Sequence, residues 1–200
     1  MKRLCIGIDN GLLGAITVID ESFKLVGWWD TPIVNLGKKG KTKNEFLTAE
    51  MGKILGCIVG GLPDTVQVMA WLEQAHAMPK QGLSSTFKTG RGFGLWEGIL
   101  IGMGIKYDIV HPRRWTKEML KDMPAGDPKM RSMLKCQRLF PEIPLTTPRG
   151  KKLTMDGRAD SAMIAYYGML QMQGKEAPNE PKRSTKTPPP RRVRRRPSRT

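Results

Sequence analysis

The spacing of hydrophobic and polar positions changes several times along the chain. Short apolar runs come first. RLCIGID (3–9) and GAITVID (14–20) are each long enough for one strand, and the glycine-bearing turn between them predicts an antiparallel hairpin. FKLVGWWDT (23–31) predicts a third strand and GKKGKTK (37–43) a basic loop. The period then becomes helical in NEFLTAEMGKILGCIVGG (44–61), which ends on a glycine stop. TVQVMAWLE (65–73) predicts a fourth strand that closes on a carboxylate. AMPKQGLSSTFKTGRG (77–92) reads as a long loop of glycines and lysines. Beyond it come a helix from Gly92 to Ile105, a fifth strand in YDIVHP (107–112), and helices in RRWTKEMLKDM (113–123) and DPKMRSMLKCQRLF (127–140). A last helix lies in DGRADSAMIAYYGMLQMQ (156–173). Three early strands followed by alternating helices and strands predict an α/β domain on a mixed sheet.

Charge separates this body from the end of the chain. The 200 residues carry a formal net charge of +16. Residues 175–200 hold ten Lys or Arg against two Glu, with six prolines and only Val193 as a strongly apolar residue. Such a segment has no means of burying a core, so a disordered basic tail is expected after a domain spanning 1–174. The tail suits sequence-blind, salt-sensitive attraction to nucleic acid, or a targeting signal of the same composition. The body remains basic without it, so polyanions are the expected partners. Cys5, Cys57 and Cys136 fall in no zinc-ligand spacing and are expected to be reduced and packed. MKRLCIGID reads as neither a secretory signal nor a transit peptide, and the apolar stretch GLWEGILIGMGI is too short to span a bilayer. A cytoplasmic protein is expected.

Four carboxylates stand out by position. Asp9 ends the first apolar strand and Glu73 the fourth. Asp156 and Asp160, four apart, lie on one side of the last helix near its start. Each has an ordinary reading as a turn residue or helix cap. Taken together they describe acids that converge where strand ends meet a helix. Such acids repel and call for a cation, and an oxygen-rich set suits Mg²⁺ or Mn²⁺. Two such ions about 4 Å apart clamp the attacking and leaving oxygens of a phosphodiester.

The stretches IGIDNGLLGAITVID, WLEQAHAMPKQGLSSTFKTGRGFGLWEGILIGMGI, HPRRWTK and DGRADSAMIAYYG resemble the RuvC-type Holliday junction resolvases of the RNase H-like superfamily. The bacteriophage and plant-organelle branch is the nearest in pattern. The resemblance covers residues 3–170. It implies an RNase H-like mixed five-stranded sheet flanked by helices, and a homodimer that nicks opposing strands of a four-way DNA junction. Asp9, Glu73, Asp156 and Asp160 take the catalytic and metal-binding positions, for two Mg²⁺ per site with Mn²⁺ able to substitute. Asp156 stands four residues before Asp160 where bacterial members usually have three, and Asn10 stands where many have proline. Lys117 and Lys129 match basic positions near the scissile phosphate, and the loop Pro79–Gly92 would reach into the junction. The helix from Gly92 to Ile105 would be part core and part dimer contact.

Further candidates for backbone contact are Lys80, Lys88, Arg91, Arg113, Arg114, Lys151, Lys152 and Arg158, with Phe87 as a base wedge or a packed aromatic. His76 and His111 are read as loop and strand-end residues, and Trp115 as core. Three other functions share parts of this pattern. A sugar-kinase or actin-like ATPase also begins strand, Asp, glycine turn, strand, but needs two lobes and more chain, so no nucleotide cofactor is expected. A non-catalytic junction-binding protein would not need all four acids. A broader nuclease for branched DNA or RNA–DNA hybrids stays open.

Overall fold

The computed structural model of the chain describes residues 2–38, 43–77, 82–146 and 155–174. Three strands, β1 (Arg3–Ile8), β2 (Ala15–Asp20) and β3 (Leu25–Asp30), form an antiparallel meander. Two short strands, β4 (Ile33–Asn35) and β5 (Asn44–Phe46), pair with each other as a separate ribbon. Helix α1 (Thr48–Val59) leads to β6 (Gln67–Glu73), which pairs parallel to β1. Helix α2 (Leu83–Gly102) leads to β7 (Lys106–Val110), parallel to β6. Helices α3 (Pro112–Met119), α4 (Pro128–Leu139) and α5 (Asp156–Met172) complete the domain. The main sheet runs β3-β2-β1-β6-β7, the mixed five-stranded RNase H-like arrangement expected from the resemblance.

Side-chain alternation explains why both faces of the sheet are covered. Ile6 and Ile8 on β1, Ile16 and Val18 on β2, and Ala70 and Leu72 on β6 turn to one face and pack with Met51 and Leu55 of α1 and Trp96 and Leu100 of α2. Cys5, Ile19 and Trp71 turn to the other face, against α3, α4 and α5. Helix α5 lies on that second face at very short range. A Cβ on Gly7 would fall 2.2 Å from the Ser161 carbonyl oxygen and 2.3 Å from the Ala165 nitrogen, so only glycine lets α5 cross β1 there. The Thr17 and Ser161 hydroxyls, 2.8 Å apart, satisfy each other inside this contact.

Two expected elements differ. The stretch read as one helix from 44 begins as a strand, and α1 starts only at Thr48. Three residues of β5 are too few for an alternation to be visible, and its partner β4 is as short. The Pro79–Gly92 loop is helical from Leu83 onward. Its glycines suggested a loop, but Gly92 is there for space. A Cβ at that position would lie 2.4 Å from the Asn10 carbonyl oxygen and 2.7 Å from Phe46. Cys5 and Cys136 are buried as expected, whereas Cys57 is exposed on α1. The tail after 174 and its expected boundary lie outside the described residues. Among the described residues, no helix is long and apolar enough to cross a membrane.

Candidate nucleic-acid-cleaving site

The parallel register that pairs Ile8 with Leu72 brings the ends of β1 and β6 side by side, so Asp9 and Glu73 emerge at the same edge of the sheet. The chain then turns through Gly11 and Gly14 into β2. Helix α5 meets this turn head-on: a Cβ on Gly157 would stand 2.2 Å from the Leu13 carbonyl oxygen and 3.0 Å from Asp9 Oδ2. That approach sets Asp156 and, one turn on, Asp160 beside Asp9. Strand pairing and one glycine-permitted contact therefore gather acids from three elements.

Electrostatics records the convergence. Asp9 is pushed up to about 6, first by burial and then by Asp156, against the Gly11 backbone hydrogen bond and Lys129, which lower it. Glu73 is pushed up to about 8 by burial and then by the charges of Asp9 and Asp160. Asp160 is pushed up to about 7 by burial, Asp9 and Asp156. Carboxylates this close to neutrality cluster at functional sites, though structural acid clusters shift in the same way.

Each acid is also held by its own donor. Asp9 Oδ1 accepts from the Gly11 backbone N–H at 2.9 Å. Glu73 Oε1 accepts from Trp115 Nε1 at 2.8 Å, and Asp160 Oδ1 from the Ser132 hydroxyl at 2.6 Å. Asp156 Oδ2 takes the Lys129 ammonium in a salt bridge. Asn10 is buried and its Nδ2 donates to the Glu73 carbonyl at 2.5 Å, which ties the two strand ends together. Of these holders only Lys129 was a site candidate in the sequence. Trp115 is core, as expected, but its indole N–H also serves Glu73. Ser132 gave no signal, since nothing local marks a helical serine as the partner of an acid 28 residues away.

The donor set suits a hard divalent cation in kind: oxygen only, buried and mutually repelling. The geometry is not closed around one. Among the described residues no three His, Cys, Asp or Glu side chains form a group able to hold a metal ion, so the expected four-acid, two-ion cluster is not assembled in this structure. Separate donors draw the carboxylates toward different neighbours, and Asp156 is spent on Lys129.

The basic candidates divide. Arg113, Arg114 and Lys117 lie along α3, exposed. Lys88 donates to the Asn44 carbonyl at 2.9 Å and approaches Glu45, and Arg91 pairs with Glu45 at 2.8 Å, so both brace β5 against α2. Arg158 turns away from the acids. Its Nε and Nη2 donate to the Asp30 carboxylate, Nη1 donates to the Pro144 carbonyl, and the guanidinium lies 4.3 Å from the centre of the Trp28 ring. Phe87 is 72% exposed on the first turns of α2. Lys80, Lys151 and Lys152 lie outside the described residues. His111 caps α3, its Nδ1 accepting from the Arg113 backbone N–H, and stacks on His76. A cleft of about 570 Å³ runs from Gly11 to Gly82, Ser84 and Lys88, so it opens between the Asp9 turn and the start of α2.

No family model matches the chain, and no curated protein does. Solved structures that resemble it in fold include two of one protein. Thermus thermophilus RuvC in complex with a Holliday junction substrate is 14% identical with a TM-score of 0.48, over 86% of this chain and 96% of that one. A second Thermus thermophilus RuvC structure is 15% identical with a TM-score of 0.46, over 84% and 96%.

Proposed function

We propose that the chain is a metal-dependent endonuclease that cuts branched DNA, with the four-way junction as its substrate and a homodimer as its working form. The observation that carries this reading is the gathering of Asp9, Glu73 and Asp160 at one sheet edge, each pushed toward neutrality first by burial and then by a neighbouring acid. The sequence resemblance to junction resolvases supports the substrate, and the +16 charge supports a polyanionic partner.

Hydrolysis of a phosphodiester adds water across one P–O bond: the hydroxyl joins phosphorus and the proton goes to the departing oxygen. To hold a divalent cation, Asp9, Glu73 and Asp160 would have to turn from their present donors toward one another; the cation would then supply Lewis acidity toward the phosphate and a more acidic water. The protein's own groups do the rest. The cleft beside Gly11 leads a strand to the acids. Lys129, with its side chain 65% exposed at the rim, offers positive charge to the incoming phosphate. Asn10 ties the two strand ends together, while Trp115 and Ser132 hold Glu73 and Asp160 until a cation competes for their oxygens. A dimer presents two such sites to a substrate of near two-fold symmetry. The exposed glycines of α2, at 94, 98 and 102, leave room for a second helix to approach.

The test compares the wild type with Asp9→Asn on an end-labelled synthetic four-way junction, a fork and a plain duplex, with and without Mg²⁺. Paired symmetrical nicks confined to the junction, dependent on Mg²⁺ and lost in Asp9→Asn, are expected. Equal cutting of forks reduces the activity to a general branched-DNA nuclease. Undiminished cutting by Asp9→Asn refutes the site.

A further inference from the structure

Helix α4 presents two faces to two different charges. Lys129 and Ser132, three apart, turn to Asp156 and Asp160. Pro128 and Arg131, also three apart and about 100° around the helix, turn instead to a depression of about 360 Å³ shared with α3. Its walls carry Arg113 and Lys117 from α3 and Lys121 just beyond, and no acid is among its described lining. Among the described residues, none of Arg113, Lys117 and Lys121 has an ion-pair partner within 4.0 Å, although the fold pairs other cations closely, such as Lys135 with Asp122 and Lys53 with Glu50.

Arg131 is built into the floor. Its Nη2 donates to the Leu120 carbonyl, and its Nε is buried with no partner. The guanidinium is thus fixed at the closed end of α3, where backbone carbonyls favour a cation. The Thr116 hydroxyl on the wall is already spent on the Pro112 carbonyl. Four cations around one hollow repel one another, and an anion with several oxygens offsets that repulsion.

We infer that this α3–α4 hollow is a second backbone-phosphate site: it holds a phosphodiester of the nucleic acid whose strand passes the carboxylates on the adjoining face of α4. The two faces of α4 adjoin, so the phosphate held here lies within a few nucleotides of the one at the acids. Lys121 and Arg131 join Arg113 and Lys117 as the residues that set the register of the strand, and they act without touching the reacting bond. The inference rests on the nucleic-acid reading of the site but needs neither cleavage nor a metal, so it is tested in chelator.

Binding of a labelled four-way junction and of a plain duplex is measured across a salt series for the full chain and for Lys121→Gln, Arg113→Gln, the double variant and Lys53→Gln. All four change exposed side chains, and thermal melting confirms the fold. Lys53 sits on α1, paired with Glu50, and is the charge-matched control. Each single pocket variant is expected to lower the slope of log K against log salt by about 0.9, and the double variant by about twice that. Lys53→Gln should leave the slope as it is. Unchanged slopes in the pocket variants, or an equal effect from Lys53→Gln, overturn the site. So does complete displacement of DNA by inorganic phosphate at an ionic strength where chloride leaves it bound, which marks a free-phosphate site instead. Loss of junction preference with the pocket slopes still lowered refutes the junction reading alone.

Discussion

Replacing Glu73 by Gln should stabilise the cation-free protein above neutral pH while destroying its activity. The change keeps the side chain's size and the oxygen that accepts from Trp115 Nε1. It removes only the charge, which is the part the fold resists. The Glu73 carboxyl rises from 4.5 to about 8 because it is buried beside Asp9 and Asp160. At 1.36 kcal/mol per pH unit, ionising it inside the fold costs at most about 4–5 kcal/mol. Relaxation of the neighbours, and the sharing of one repulsion among three acids, cut this to roughly 2 kcal/mol. The sign follows from proton linkage. The folded chain binds more protons than the unfolded one between about pH 4.5 and pH 8, so stability falls as pH rises through that window. Below it the acid is neutral in both states and the variant gains nothing. For a domain of this size, about 2 kcal/mol raises Tm by about 4–8 °C. Melting curves in chelator from pH 4.5 to pH 8.5 should therefore separate steadily, with the variant on top at the alkaline end. Equal Tm values at pH 8.5, or a gap that does not depend on pH, would refute the claim that the acids strain one another.

Gly7→Ala should cost about 3 kcal/mol in denaturant titrations, because the new methyl meets the α5 backbone at Ser161 and Ala165, which has no side chain to swing aside. By contrast Gly98→Ala finds nothing within 4 Å and should gain up to about 1 kcal/mol of helix stability; a loss in both would show that α2 and α5 are packed differently. Arg158→Ala should lower stability by about 1–2 kcal/mol through the loss of Asp30, Pro144 and Trp28. It should leave the salt slope of DNA binding intact, and a slope lowered by about one would instead make Arg158 a phosphate contact. Deleting residues 175–200 should weaken binding to every DNA and flatten its salt dependence, and an unaltered slope would show that the tail does not touch DNA.

The sequence reveals most about the acids and least about their company. Asp9 and Glu73 are conspicuous because a charge at the end of an apolar strand breaks the run, and Asp160 because it precedes an apolar helix face. Those signals are local, and the structure gathers the residues that carry them. The partners are not local. Arg158 meets Asp30 across 128 positions and Arg91 meets Glu45 across 46, so each looked like a free cation until the fold paired it. The helical start of α2 was masked for a different reason. Gly90 and Gly92 argue for a loop on propensity alone, and the close approach of Asn10 and Phe46 that requires glycine at 92 belongs to tertiary packing.

That pairing bears on how a substrate would approach. Lys88, Arg91 and Arg158 are candidate phosphate contacts that the fold engages with Glu45 and Asp30. Lys129 is paired too, but with one of the clustered acids, so its partner would change when the site is loaded. The described cations left without acidic partners include Arg113, Lys117 and Lys121, on or just beyond α3. One cluster of unpaired positive charge thus lies on α3 and its C-terminal end, and a cleft opens between the Asp9 turn and the start of α2. Under the proposed function, a polyanion drawn to the first and entering the second would pass the edge of the sheet where Asp9 and Glu73 emerge. On the proposed nuclease reading, α4 is then the element that would couple holding the backbone to cutting it, because Lys129 and Ser132 face the acids while Pro128 and Arg131 line the hollow.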